Sequence, residues 1–254
     1  MNEQITGLIL KQTDYRENAV ILTVLTEDYG KLSLVAAGVR KMNSKNAGSV
    51  LPYTKAEFSL DYRPDRTMFR MKTARTVSLY RFLHEDLLAG CAASLMAECA
   101  DAMTLEGPDE ESAAETYRLL DLSFQHLNEK KPADLTAALF LSSMLRTHGI
   151  SPEVDACVLC GKPEASAFSL KEGGFLCAED AAARNLKPWT IEQLRAFRVL
   201  AKAGPEQIDL VSPYFRDWSS MTGILVSFLE LHAGIHLRSF GLFQVSCRTK
   251  RNFA

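Results

Sequence analysis

The chain has 254 residues, 47% of them hydrophobic and 24% charged, with 29 Lys/Arg against 31 Asp/Glu. That is the make-up of an ordinary globular protein long enough for two domains. No run of eighteen apolar residues occurs, which excludes a helical membrane span.

The opening "MNEQITGLILKQTDYRE" places Glu3 before a short apolar patch and offers no small-residue cleavage site, so it does not read as a signal peptide. Six cysteines without an export signal point to the reducing cytoplasm, where a CxxC pair binds metal or does redox work more often than it forms a structural disulfide. Charge is unevenly spread. Residues 1–82 carry thirteen Lys/Arg against eight Asp/Glu, and the remainder sixteen against twenty-three. Two parts of opposite sign suggest different partners, with the basic part facing something anionic.

Residues 1–80 read as five strands: Ile5–Leu10, Ala19–Thr26, Lys31–Gly38, Tyr53–Arg63 and Thr67–Tyr80. Glu27-Asp28-Tyr29-Gly30 joins the second to the third, with Gly30 able to take the positive φ of a tight hairpin. The last two are linked across Pro64-Asp65. Five short strands, several apolar on both faces, fit a small closed barrel.

After Tyr80 the period becomes helical. Leu88, Cys91, Leu95 and Cys99 form a stripe in a helix over 85–105, which "GPDEES" (Gly107–Ser112) breaks. A second helix runs to about Asn128, and a third spans Ala133–His148 and stops at Gly149. Thr190 opens another, with Gln193 completing a capping box. A long last helix is predicted over Tyr214–Ser239. The fold class is therefore α+β: a barrel domain (1–80), then an α-helical domain (81–254) that contains a ribbon-like element (152–182).

That element carries the first candidate site. Cys157-Val-Leu-Cys160-Gly161 is a knuckle that supplies two thiolates from one turn, and sixteen residues later Cys177-Ala-Glu-Asp180 follows at zinc-ribbon spacing. Asp180 stands where a fourth thiolate would be. Glu179 or a histidine from a packed helix are alternative fourth ligands, and a degenerate ribbon that folds without metal is the competing reading. A redox role for the CxxC lacks the βαβ context it would need. Cys91 and Cys99 belong to the apolar stripe of their helix. His232 and His236, four apart on the last helix, could chelate, but a solvated or capping pair is the commoner outcome.

The second candidate is basic. "GVRKMNSKNAGS" (Gly38–Ser49) holds Arg40, Lys41 and Lys45 and no acid, which suits contact with a phosphate backbone. Arg70 and Lys72 alternate on the fifth strand, with Arg66 nearby. Tyr15, Tyr29, Phe58, Tyr62 and Phe69 are available as stacking platforms, although barrel rings usually serve as core. No nucleophile elbow, phosphate-binding glycine loop or paired carboxylates occur, so a binding protein is favoured over an enzyme.

Taken together, "GLILKQTDYRENAVILTVLTEDYGKLSLVAAGVRK", "LPYTKAEFSL", "DACVLCG", "GGFLC" and "HLRSF" resemble the bacterial RecO family of recombination mediators over nearly the whole chain. The resemblance implies an OB-fold followed by a helical domain with a zinc-ribbon-like element. It implies binding of single- and double-stranded DNA and annealing of complementary strands. It also implies partnership with RecR and single-strand-binding protein in loading RecA. Many members carry four cysteines in the ribbon and others none; here the fourth position is Asp180. A helical interaction hub, or a nucleic-acid-processing enzyme that uses the barrel for capture, are the alternatives. DNA binding discriminates against the first, and DNA modification would signal the second.

Overall fold

The computed structural model describes residues 2–63, 66, 68–106 and 110–252. The expected turn at Pro64-Asp65, the strand start at Thr67 and the helix break at 107–109 lie outside the described residues.

Five strands, β1 (Asn2–Arg16), β2 (Ala19–Thr26), β3 (Lys31–Ala37), β4 (Lys55–Asp61) and β5 (Met68–Ser78), close into a barrel in the order β1-β2-β3-β5-β4. β3 and β5 run parallel, pairing Ser33 with Met68, Leu34 with Phe69 and Val35 with Arg70; the other pairs are antiparallel. This is the closed five-stranded arrangement of an OB barrel.

β1 is longer than the Ile5–Leu10 segment expected, because it serves two neighbours. Its first half pairs with β4, and from Gly7 onward it pairs with β2. Register shifts between Ile9 and Lys11 and between Asp14 and Arg16 give the local bends that such sharing requires. At Gly7 a Cβ would collide with Val24 Cγ1 and lie 2.9 Å from the Leu25 carbonyl, so the close approach of β1 to β2 needs glycine. Gly30 takes φ 66° in the β2–β3 hairpin, where the Thr26 hydroxyl donates to its carbonyl at 2.8 Å. Ile5, Ile9, Val20, Leu22, Val24, Leu34, Phe58, Leu60 and Phe69 fill the interior.

The secondary structure changes character after β5, but packing divides the chain later, into compact units Met1–Lys131 and Pro132–Ala254. The first unit thus includes α1 (Phe82–Glu85), α2 (Leu87–Met103) and α3 (Glu110–Asn128). Leu8, Leu10 and Leu25 are buried yet absent from the barrel interior, and α2 packs on β1 and α3 on β2 to cover that outer face. Burying both faces of β1 and β2 explains why these strands read as continuous apolar runs. Cys91 and Cys99 are buried in α2; burial pushes the Cys99 thiol up to about 12.

The second unit holds α4 (Ala133–Thr147), the hairpin of β6 (Ala167–Ser169) and β7 (Gly174–Leu176), α5 (Ala178–Ala183), α6 (Ile191–Lys202), α7 (Ile208–Val211), α8 (Trp218–Ala233) and α9 (Phe240–Asn252). α4 packs against α6 and α8. Thr190 opens α6 with both bonds of the predicted capping box, and Gly149 at φ 69° follows the end of α4. The expected last helix over Tyr214–Ser239 is corrected at both ends. Asp217 caps α8 through a bond from the Ser220 N–H, and Gly234 at φ 68° stops it, so α9 forms separately. Among the described residues no helix is long and apolar enough to cross a membrane.

Candidate nucleic-acid surface and metal centre

The two sides of the barrel treat their cations differently. On the side covered by helices, Lys31 is buried and donates to the Asp101 carbonyl at 2.6 Å and to its carboxylate at 3.1 Å, while Lys11 reaches the other carboxylate oxygen at 2.5 Å. Burial alone would raise the Asp101 pKa, but the hydrogen bonds and charges of Lys11 and Lys31 hold it below the usual carboxylate range. Lys55 pairs with Asp121 at 2.9 Å, and Tyr80 donates to the same carboxylate. Burial lowers the Lys55 pKa, and bonding to Asp121 and Tyr117 more than reverses that. These cations dock helices onto the barrel.

The β3–β5 side is open. Along β5, Phe69 and Met71 point inward while Arg70 and Lys72 are exposed, as is Arg66 just before the strand. The loop after β3 lies against the same strand: Asn46 Oδ1 accepts from the Ala74 N–H at 3.3 Å, and Thr76 donates to the Ser49 hydroxyl at 2.9 Å. Its Lys41 and Lys45 are exposed, and Arg40 is ion-paired with exposed Asp14. A phosphate approaching Arg40 has to compete with that carboxylate. Arg63, which sequence reading passed over, is exposed and paired with Asp61 at 3.4 Å.

The rings sort by burial. Phe58 and Phe69 are core, while Tyr29 and Tyr62 are half-buried. Tyr62 stacks on Phe69 at 5.2 Å, with Tyr29 edge-on to Tyr62 at 4.7 Å. Tyr15 is exposed, with Arg16 over its ring at 5.0 Å.

In the ribbon, Gly161 at φ 73° lets the knuckle close, its N–H donating to the Cys157 carbonyl at 2.9 Å. Gly174 permits the return, because a Cβ there would collide with the Glu153 carbonyl. Cys177 follows β7 and is the N-cap residue of α5, which places Asp180 on the first turn of that helix. The sulfurs of Cys157, Cys160 and Cys177 and a carboxylate oxygen of Asp180 all lie within 4.8 Å of one another. Cys160 and Cys177 are 3.7 Å apart, and Asp180 Oδ2 is 3.2 Å from the sulfurs of both Cys157 and Cys177. Tetrahedral zinc with its usual bond lengths sets S···S edges of about 3.8 Å and S···O edges of about 3.5 Å. The Cys160–Cys177 edge lies at the zinc value, and the two Asp180 edges are about 0.3 Å shorter.

The donor set also fits a cation chemically. Burial disfavours the Cys157 thiolate, but backbone hydrogen bonds from 177, 160 and 159 outweigh it and lower the pKa. At Cys160 the backbone of Lys162 favours the thiolate, yet the Asp180 carboxylate and the neighbouring sulfurs push the thiol up to about 12. Thiols donating from Cys157, Cys160 and Cys177 hold the Asp180 carboxyl below its usual range. Four potential anions this close repel one another when ionised, and a divalent ion bound among them would relieve the repulsion.

The alternative ligands are engaged elsewhere. Glu179 is mostly exposed and pairs with Lys162 at 2.7 Å. His232 lies 2.7 Å from the Leu170 carbonyl, and His236 lies 3.0 Å from Glu230. Gly234 ends α8 between the two histidines, so they do not share a helix face. Arg184, also passed over, is anchored to Glu172 at 2.9 Å and lies 4.0 Å from Asp180 Oδ1, the oxygen turned away from the sulfurs. The i,i+4 spacing of Asp180 and Arg184 was the available signal.

An OB barrel with an open cationic strand, followed by a helical unit that carries a Cys3Asp ribbon, defines the class: two-unit proteins of the OB-barrel type with a zinc-ribbon-like element. Models of the N-terminal and C-terminal parts of recombination protein O match residues 1–80 and 84–240. The chain belongs to the recombination protein O (RecO) family. It is similar to the "DNA repair protein RecO" of Bacillus pumilus, with 29% identity over 92% of this chain and 90% of that protein. Those of Exiguobacterium sibiricum (28%, covering 94% and 95%) and Halalkalibacterium halodurans (23%, covering 94% and 93%) are similar as well.

Proposed function

We propose that this chain is a DNA-binding recombination mediator in DNA repair. It binds single- and double-stranded DNA through its barrel domain (1–80), anneals complementary strands, and acts in the cytoplasm with RecR to load RecA onto DNA coated by single-strand-binding protein. The observation that carries this reading is the exposed set Arg66, Arg70 and Lys72 beside the acid-free loop of Arg40, Lys41 and Lys45, in a chain of the RecO family.

The physics is that of charge neutralisation. Cations on the open side replace the counterions condensed on a phosphate backbone, and the release of those ions drives binding without reading bases. Once part of its charge is neutralised, a strand repels its complement less, and base pairing supplies the remaining driving force. No nucleotide is consumed, and the chain acts as a mediator and not as an enzyme.

Cys157, Cys160, Cys177 and Asp180 hold one zinc ion. All four positions are taken by protein groups, so the ion contributes folding free energy and leaves no site for water or substrate. The test is a salt titration of single-strand binding, with and without RecR, followed by annealing in buffer free of nucleotide and of added divalent cation. Steep salt dependence and annealing in the absence of ATP are expected. Binding that is insensitive to salt, or annealing that requires ATP, would contradict the proposal.

A further inference from the structure

The end of β1 carries an aromatic residue that the barrel core does not use. Across the β1–β2 ladder Asp14 faces Val20 and Arg16 faces Ala19, so Tyr15 is an extra residue on β1 without a partner on β2. A bulge of this kind re-aims a side chain away from the regular alternation of a strand. Every residue from Lys11 to Asn18 is exposed, and Tyr15 keeps 44% of its surface open to solvent. The other candidate rings are taken up by packing: Phe58 and Phe69 are core, Tyr62 stacks on Phe69, and Tyr29 lies edge-on to Tyr62. Arg16 steadies the Tyr15 ring. Its guanidinium carbon is 5.0 Å from the ring centroid, and Nη2 donates to the phenol oxygen at 3.4 Å. A ring already held in place loses less freedom when a ligand settles on it.

Strand pairing puts this ring beside the cationic loop. Ala19 pairs with Arg16 on one side and with Ala37 on the other, and the acid-free loop begins at Gly38, the next residue. Asp14 is ion-paired with Arg40 of that loop, which holds the end of β1 against it. On β3, Val35 pairs with Arg70, two residues before Ala37. The tip of the hairpin is not itself a phosphate site, because Asp14 and Glu17 outnumber Arg16. What it offers is an exposed, steadied ring next to cations.

We infer that Tyr15 is a base-stacking platform for single-stranded nucleic acid, and that it makes the barrel prefer single strands to duplex. This rests on the reading of the chain as a DNA-binding mediator and deepens it. Cations on the loop and on β5 attract the phosphates of either form alike. An unpaired base can swing onto an exposed ring, whereas a base in a duplex is already stacked between its neighbours. Every base has a π-face, so the contact adds affinity without reading sequence.

The test uses the full chain with Tyr15→Ala, Tyr15→Leu and Tyr15→Phe, each against three labelled ligands of equal length. These are oligothymidylate, the same sugar–phosphate backbone without bases, and a duplex. Binding is followed by fluorescence anisotropy over a salt series, with circular dichroism melts as the folding check. Tyr15→Ala and Tyr15→Leu should weaken oligothymidylate binding about tenfold, as the loss of one stacked base does. Their salt slopes should stay at the wild-type value, because no phosphate contact is removed. Binding of the abasic strand and of the duplex should not change, and Tyr15→Phe should bind oligothymidylate as wild type does. Wild-type oligothymidylate affinity in folded Tyr15→Ala, or an equal loss on all three ligands, would overturn the inference. So would full binding by Tyr15→Leu, which would make the contact merely apolar, or a loss in Tyr15→Phe as large as in Tyr15→Ala, which would assign it to the hydroxyl. Failure of the wild-type chain to bind any of the three is a different result, one that sinks the mediator reading itself.

Discussion

Lys31 and Arg70 are cations on neighbouring strands of one barrel, and their surroundings give them opposite work. Lys31 is buried against Asp101, on α2, while Arg70 is exposed on β5. Lys55, half-buried against Asp121 on α3, repeats the first case, and exposed Arg66 repeats the second. A positive count over residues 1–82 is thus partly structural, because acids from later helices neutralise one side of the barrel. The ribbon is the anionic counterpart, in which four potential ligand groups gather within 4.8 Å of one another.

The largest effect should come from the ribbon. Cys160→Ser is expected to lose zinc by elemental analysis of reduced protein and to lower the melting temperature more than any substitution on the barrel. Asp180→Cys should retain the metal. Because thiolates must lose protons to bind, occupancy should also fall on acidification. Full metal retention by Cys160→Ser would remove it as a ligand.

Next in size is the covered side of the barrel. Asp101→Ala removes the counter-charge of buried Lys31, which keeps only the carbonyl of residue 101, and should cost about 3 kcal/mol in urea unfolding. DNA affinity at low temperature should not change. The pH dependence follows from the same carboxylate. Its folded pKa is depressed, so its contribution is present above the unfolded value of about 3.9 and is lost as pH falls through the lower folded value. Asp101→Asn should therefore flatten the stability profile in that acid range. A profile matching wild type would mean that the pair does not couple to folding.

The smallest stability change belongs to the open side. Arg70→Ala with Lys72→Ala should stay within about 0.5 kcal/mol of wild type, as exposed substitutions do. Its effect should appear in the salt slope of DNA binding, which falls by up to about 1.4.

Legibility in the sequence followed separation along the chain. The ribbon was readable because Cys157–Cys160 and Cys177–Asp180 are local spacings, and the structure brings all four groups together. The strands, the Gly30 hairpin and the Thr190 capping box were readable for the same reason. The docking of Lys31 by Asp101, seventy residues away, carried no local signal, so the inclusion of α2 and α3 in the barrel unit was invisible. The last helix was misjudged because apolar periodicity runs on through Gly234. Only the backbone shows that this glycine takes the left-handed conformation and ends α8 there.

The central claim is that DNA meets the open side of the barrel and not the helix-covered side. Its most direct test compares the salt dependence of single-strand binding in Arg66→Ala/Arg70→Ala/Lys72→Ala with that in Lys11→Ala, whose partner Asp101 lies on the covered side. The account predicts a slope reduced by up to about 2 in the triple variant and a wild-type slope in Lys11→Ala. A wild-type slope in the folded triple variant, with the reduction appearing in Lys11→Ala, would contradict it.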